Sequence, residues 1–351
     1  MVLVETWLFC TICGLATTIL GFFAPKLCKK MGLMDVPDAR KTHQRPTPLL
    51  GGLALALIAL PTSVIYGIFL SSPELRPSVL IFISAAIAMV LMGMEDDRRT
   101  LTARNRLILS LIIFSSVATF DPLFNIRVLR FGNGAFEIGM GVAAVGIIFT
   151  TVCCVGLVNA VNMADGKNGL VIGLCLGWLT MLAMRAPIGL LPFILILISS
   201  LAVLLIFNLR GSVFLGDGGV YGLACTIGLL AIAIYNSPGP VAGHAMAAEE
   251  LMLLFGLPVL DSFRLTVTRL RRGQSPMAPD RDHFHHHLQS KFGWPMGLIV
   301  YLVIALVPSA LSFMDFIRPT ICLFFVVLIY FAMILLTRGY VHADDQLDQQ
   351  G

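Results

Sequence analysis

Apolar residues along this chain do not follow the amphipathic period of a surface helix. They come in nearly unbroken runs separated by short polar loops. Eleven runs approach or exceed the ~20 residues that a helix needs to cross a bilayer. They lie at roughly 3–25, 49–70, 78–94, 104–120, 138–158, 169–184, 188–207, 219–236, 247–268, 294–313 and 318–337. Lipid offers backbone groups no hydrogen-bond partner, so such runs must be helical. The pattern therefore predicts an all-α polytopic membrane protein of about 10–11 transmembrane helices. The run at 247–268 contains Pro258 and Asp261, and a broken or tilted helix is expected there. No repeat or low-complexity linker divides the chain, so residues 1–337 should form one integral-membrane domain. The polar, acidic stretch 338–351 should be a disordered tail.

Composition sharpens this picture. Of 351 residues, 57% are hydrophobic and only 13% charged, about half the charge of a soluble protein, and the mean hydropathy is +0.89. The first run is preceded by Glu5 and followed by Lys26, Lys29 and Lys30, the reverse of a cleaved signal peptide. That arrangement places the N-terminus in the periplasm. Loops and span ends on one side of the predicted topology carry 19 of the 24 Lys and Arg. By the positive-inside rule this assigns 26–48, 95–104, 159–168, 208–218 and 269–293 to the cytoplasm. Topology and anionic lipid headgroups account for the net charge of +4, which implies no nucleic-acid partner. The cysteines lie mostly inside apolar runs, including Cys10 and Cys13, and read as packing residues.

The unusual polar groups fall in the five loops assigned to one side. They are Arg40-Lys41-Thr42-His43 followed by Gly51-Gly52, then Glu95-Asp96-Asp97-Arg98-Arg99, then Asn159 to Gly169 with Asn162, Asp165 and Asn168, then Gly216-Asp217-Gly218-Gly219, and last Asp280-Arg281-Asp282-His283-Phe284-His285-His286-His287. Opposite them stand only Glu74, Asp121, Glu137 and scattered arginines. Three adjacent carboxylates at a helix C-terminus oppose the helix dipole, so Glu95–Asp97 call for another explanation. Carboxylates and amides are hard oxygen ligands suited to Mg²⁺ or Mn²⁺, which in turn bind phosphates. Lys and Arg offset phosphate charge. The histidines admit two readings, a Zn²⁺ site or donors to a pyrophosphate. The second fits better, because structural Zn sites use cysteines or regular ligand spacing. The residues alone thus suggest metal-dependent phosphoryl transfer at the cytoplasmic membrane face, between a soluble phosphorylated substrate and a lipid.

Five motifs in order then make the chain resemble the polyprenyl-phosphate N-acetylhexosamine-1-phosphate transferase family, from Lys41 through Leu288. They are Arg40-Lys41-x-His43 with Pro46-Thr47-Pro48 and Gly51-Gly52, Asp96-Asp97, Asn159-x-x-Asn162-x-x-Asp165-Gly166-x-Asn168-Gly169-Leu170, Phe214-Leu215-Gly216-Asp217, and Ser275-Pro276 with Asp280-Arg281-Asp282-His283-x-His285-His286-x-Leu288. The last motif is similar to the bacterial branch that acts on UDP-GlcNAc and undecaprenyl phosphate. The resemblance implies Mg²⁺ held by Asp217 and Asn162, with Mn²⁺ as the alternative and Asp165 in or beside that shell. It implies Asp96 or Asp97 as general base on the lipid phosphate. Asn168 would face the uracil or ribose, and Arg281, His283, His285 and His286 the donor's diphosphate or sugar. Lys41, His43 and Asn159 complete the expected substrate contacts. Many bacterial members carry Asp where Asn168 stands, so only a binding role is expected there.

The expected reaction transfers GlcNAc-1-phosphate from UDP-GlcNAc to undecaprenyl phosphate in the bacterial inner membrane. It releases UMP and starts a lipid-linked envelope polysaccharide such as an O-antigen. Another UDP-N-acetylhexosamine is the near alternative donor, and a homodimer is compatible with the sequence. A transporter or flippase of lipid-linked sugars is the rival class. Such proteins place ionisable groups near the bilayer midplane, whereas here only Asp261 lies well inside a run. A histidine-rich metal carrier is the third reading.

Overall fold

The computed structural model describes residues 2–37, 45–69, 73–132, 134–241, 245–275 and 282–350. Lys41, His43 and Arg281 lie outside them. Thirteen α-helical segments dominate the described residues. In chain order they are α1 (Val2–Met31), α2 (Gly51–Ala54), α3 (Leu60–Phe69), α4 (Arg76–Arg99), α5 (Ala103–Phe120), α6 (Ala143–Ala164), α7 (Leu170–Arg185), α8 (Leu191–Leu209), α9 (Gly216–Asn236), α10 (Ala248–Arg271), α11 (Phe284–Phe292), α12 (Met296–Phe313) and α13 (Pro319–Gln350). A π-helical turn, Leu55–Ala59, joins α2 to α3 into one span.

Ten helices among the described residues are long and apolar enough to cross a membrane. The eleventh run became α7, apolar but only 16 residues long. The protein is a multi-pass, all-α membrane protein. Two other expectations are corrected. α10 passes through Pro258 without a break, supported by α6, α12 and α13 packed along it, as neighbouring helices allow inside a bundle. The last helix also continues to Gln350 rather than ending in a disordered tail. Beyond Arg338 no proline interrupts the chain, and Ala343, Leu347 and the glutamines favour helix.

The bundle is organised around α9, in which every residue from Gly218 to Tyr235 is buried. Small residues let its neighbours come close, the usual way to pack helices where no water drives association. A Cβ on Gly93 of α4 would lie 2.3 Å from the backbone oxygen of Asp217, and one on Gly222 would lie 2.4 Å from Val90. α4 and α9 are therefore in backbone contact where the Asp-Asp pair meets Asp217. Large apolar side chains such as Trp7, Phe22, Phe263 and Phe324 instead face outward, where lipid would surround them.

At the end of the bundle away from the motif loops, polar groups serve the scaffold. A hairpin of β1 (Val128–Phe131) and β2 (Gly134–Glu137) closes the α5–α6 connection. Tyr235 ties it down, donating to Val128 O at 2.9 Å and accepting from Arg130 N at 2.8 Å. Arg185 bridges Glu250 at 2.9 Å and Asp315 at 2.8 Å. These two acids add to the sparse set read from the sequence.

Candidate active site

Backbone and side-chain bonds draw the motif loops together at the other end. The segment before α2 pairs with the one before α9. Leu50 N donates to Phe214 O at 2.9 Å, Gly51 N to Leu215 O at 3.1 Å, and Phe214 N to Pro48 O at 2.8 Å. Loops widely separated in the chain thus share one floor.

The adjacent acids at the end of α4 diverge because successive helix positions point about 100° apart. Asp97 turns to the start of α9. Its two oxygens accept from the backbone N–H groups of Asp217 at 2.8 Å and Gly218 at 3.0 Å. This satisfies two of the orphan donors of a helix N-terminus. It also fixes the first turn of α9, which carries Asp217.

Asp96, only 4% exposed, turns the other way. It accepts from Leu101 N at 2.7 Å, from Tyr221 Oη at 2.8 Å and from Arg106 Nη1 at 3.0 Å. These bonds lock the α4–α5 turn, where Thr100 takes a left-handed backbone.

The loop after α6 supplies the third acid. Asp165 is reached by solvent yet surrounded by protein. Its carboxyl is pushed up to about 7, by desolvation first and the Asp97 charge second. It makes no side-chain hydrogen bond among the described residues. Asn162, one turn earlier in α6, is half-buried, and its backbone oxygen accepts from Asp165 N at 3.2 Å. Asn159 turns back along α6 to donate to Val155 O at 2.8 Å. Asn168 offers its backbone oxygen to Trp294 Nε1 at 3.2 Å.

The histidine segment meets this loop directly. A Cβ on Gly166 would lie 2.2 Å from His285 Nε2, so the imidazole rests on the glycine next to Asp165. The His285 and His286 ring centroids are 4.3 Å apart, and those of His283 and His285 5.4 Å apart. His285 Nε2 is buried without a hydrogen-bond partner among the described residues. Burial, then the neighbouring His286 and His283, holds its proton affinity well below the ordinary imidazole value. A buried ring nitrogen with no partner costs free energy unless a ligand completes it.

His287 belongs elsewhere. It is 1% exposed and bonded to Asp282 and Thr337. Asp261, on which the transport reading leaned, is held inside the protein by Arg264 at 3.1 Å and Tyr330 at 2.7 Å.

Several contributors carried no motif. Asn208, buried in the last turn of α8, accepts from Gly169 N at 2.6 Å and donates to Val213 O at 3.0 Å. It joins the Asp165 loop to the Asp217 loop. Arg106, Tyr221 and Trp294 act similarly. A polar residue closing an otherwise apolar run is the one signal that pointed to Asn208.

Among the described residues, no three His, Cys, Asp or Glu side chains stand together as a metal cage. The carboxylate and amide donors of these loops suit a different kind of ion. Mg²⁺ binds one or two carboxylates and leaves its other positions to water and phosphate. Asp217 and Asn162 could supply that coordination. Asp165, desolvated and next to the Asp97 charge, is a carboxylate whose ionised form a hard cation would favour.

Known proteins resemble this chain over most of its length. Residues 79–235, which run from α4 through α9, match the family described as "Glycosyl transferase family 4". The chain is 28% identical over 281 residues to the undecaprenyl-phosphate alpha-N-acetylglucosaminyl 1-phosphate transferase of Escherichia coli K12, covering 78% of this chain and 73% of that protein. It is 29% identical to the Yersinia pestis protein of the same name, covering 76% and 72%. It is 26% identical to a probable undecaprenyl-phosphate N-acetylglucosaminyl 1-phosphate transferase of Bacillus subtilis, covering 82% and 79%.

Proposed function

With residues 79–235 belonging to glycosyl transferase family 4, we propose that this membrane protein transfers a sugar 1-phosphate from a nucleotide diphosphate sugar to a polyprenyl phosphate. The donor is UDP-GlcNAc, the acceptor is undecaprenyl phosphate, and the membrane is the bacterial inner membrane. The products are undecaprenyl-diphosphate-GlcNAc and UMP. One observation carries the reading: His285 rests on Gly166, next to Asp165, in a floor where Asp97 also holds the turn that carries Asp217. A wall able to donate to a diphosphate thus adjoins carboxylates able to hold its counter-ion.

In this reaction an oxygen of the acceptor phosphate forms a bond to the β-phosphorus of the donor. The anhydride bond between the two donor phosphates breaks, and its electron pair leaves with UMP. One phosphoanhydride replaces another, so alignment and charge neutralisation must supply the rate. Mg²⁺, with Mn²⁺ as the alternative, would be held by Asp217 and Asn162 and would offset the diphosphate charge. Asp97 keeps Asp217 in place through the α9 backbone. Asp165, free of side-chain hydrogen bonds among the described residues, is the carboxylate left to receive a proton from the acceptor phosphate. His283, His285 and His286 face the donor, with Asn168 at its nucleoside end. Lys41, His43 and Arg281 add positive charge from segments outside the described residues.

Purified protein in lipid nanodiscs, given undecaprenyl phosphate, Mg²⁺ and a panel of UDP-sugars, tests the reading by UMP release. UMP should appear with UDP-GlcNAc and only when the lipid phosphate is present. Absence of turnover with every UDP-N-acetylhexosamine would overturn it.

A further inference from the structure

Behind the histidine wall lies a charge network that the proposed reaction does not use. Asp261 of α10 accepts from Arg264 Nη2 at 3.1 Å, from Tyr330 Oη at 2.7 Å and from Phe284 N at 3.2 Å. Phe284 is the first residue of α11. Arg264 reaches onward, with Nη1 donating to Asp282 Oδ2 at 2.9 Å and Nη2 donating to the Asp282 backbone oxygen. Asp282 Oδ1 then meets His287 Nε2 at 2.7 Å, and His287 Nδ1 meets Thr337 Oγ1 at 2.9 Å. The Thr337 hydroxyl faces Met333 O at 2.6 Å.

Burial would raise the Asp282 carboxyl, but His287 and Arg264 together hold it down to about 2, and it is ionised. An ionised carboxylate is an acceptor only, so His287 Nε2 donates to Asp282. Arg264 lies between two carboxylates, Asp261 and Asp282, and His283 Nδ1 adds a contact of 3.4 Å to Asp261 Oδ2.

This network holds the first turn of α11 from two sides. Asp261 receives its leading N–H, and Asp282 precedes the N-cap residue His283. His287, four residues beyond His283, is anchored to α13 through Thr337. The two ends of the His283–His287 turn are thus fixed to different transmembrane helices, α10 and α13. His285 and His286 lie between the anchors. The direction of His285 toward Gly166 follows from where the anchors are set.

We propose that Asp282 and His287, braced by Arg264, are positioning residues that aim His283, His285 and His286 at the nucleotide-sugar donor. The inference rests on the transferase reading for its substrate, whereas the coupling itself is a property of the fold. A role in packing alone would change stability and leave the donor constants of the folded protein untouched. A positioning role shifts donor affinity. Outer partners of this kind are often worth about tenfold or more.

The test uses the full chain in nanodiscs, as wild type, His287→Phe, Asp282→Asn and the double variant. Nitrogen spectra of histidine-labelled wild-type protein give the reference ring resonances. His287→Phe and Asp282→Asn should each move the resonances of His283, His285 or His286. In the UMP-release assay KM for UDP-GlcNAc should rise about tenfold while KM for the lipid stays constant. The double variant should be no worse than the more impaired single variant, as expected of residues acting as one unit. Asp282→Asn is the milder change and provides a folded comparison if His287→Phe is unstable. Folded variants whose other histidine resonances are unmoved would overturn the inference. So would turnover by folded variants with an unchanged donor KM. A wild-type protein without turnover would overturn the transferase reading alone, since the spectra report the coupling without substrate.

Discussion

Asp97 accepts the backbone N–H of Asp217 at 2.8 Å, so one acid of the site sets the position of another. The bond joins the C-terminal turn of α4 to the N-terminal turn of α9. Its partner, from Gly218 N, makes the hold bidentate. Losing the carboxylate would leave a helix N-terminus uncapped inside the bundle and Asp217 free to shift. Asp97→Asn, which retains only one acceptor oxygen, should lower kcat at least about a hundredfold while helicity by circular dichroism stays unchanged. Glu95, paired with Arg98 and Arg99 at the surface, is the control. Such exposed pairs contribute little, and Glu95→Gln should keep most of the activity.

Asp96 should fail differently from its neighbour. Its three donors come from the α4–α5 turn and from Tyr221. Asp96→Ala would leave Tyr221 and Arg106 without their acceptor in a buried place. A loss of about 2–4 kcal/mol follows from stranded partners of this kind. Thermal unfolding in detergent should show a clearly lower transition for Asp96→Ala than for Asp97→Asn.

The close contact of α4 with α9 gives a steric test. A methyl group on Gly93 would collide with the Asp217 backbone at 2.3 Å, and neither helix backbone can yield locally. Gly93→Ala should therefore separate the helices at the site, costing about 1–3 kcal/mol. UMP release should fall at least about tenfold, because a displacement of about 1 Å near reacting groups is enough. Gly156, whose added Cβ meets nothing within 4 Å, should accept alanine with activity intact.

Acid should loosen the histidine helix in a defined range. Asp282 in the folded protein titrates at about 2, below its ordinary value of 3.8. A carboxyl lowered on folding contributes stability that is complete above the ordinary range and disappears as pH falls through the folded value. The contribution of Asp282 should thus fade between about pH 4 and pH 2. Asp282→Asn lacks it at every pH. The gap in melting temperature between wild type and Asp282→Asn should be constant from pH 7 to about 5 and close as pH falls further.

Much of this architecture was legible in the sequence because membrane spans declare themselves by length and apolarity alone. The run at 169–184 and the one around Pro258 were the less secure cases. One proved short, and the other proved continuous, because support from neighbouring helices does not show in a single run. The motif loops marked the site, but direction was hidden. Asp96 and Asp97 are chemically identical neighbours, and only the helical rotation between them sends one to Arg106 and the other to Asp217. His286 and His287 pose the same problem in the next helix. Asn208 escaped notice because a lone amide ending an apolar run looks like an ordinary helix terminus until Gly169 and Val213 are seen on either side of it.

The helix that carries Asp217 is buried along its length from Gly218 to Tyr235, and Asp97 waits 120 residues for the N–H it binds. Chains are threaded into a membrane from the N-terminus. A ribosome-bound intermediate ending after α8 would therefore have a central gap where α9 belongs, with two acids at its rim. Biosynthesis confers catalytic competence late, since the catalytic floor closes only when the eighth hydrophobic segment leaves the translocon and takes its place among those already inserted.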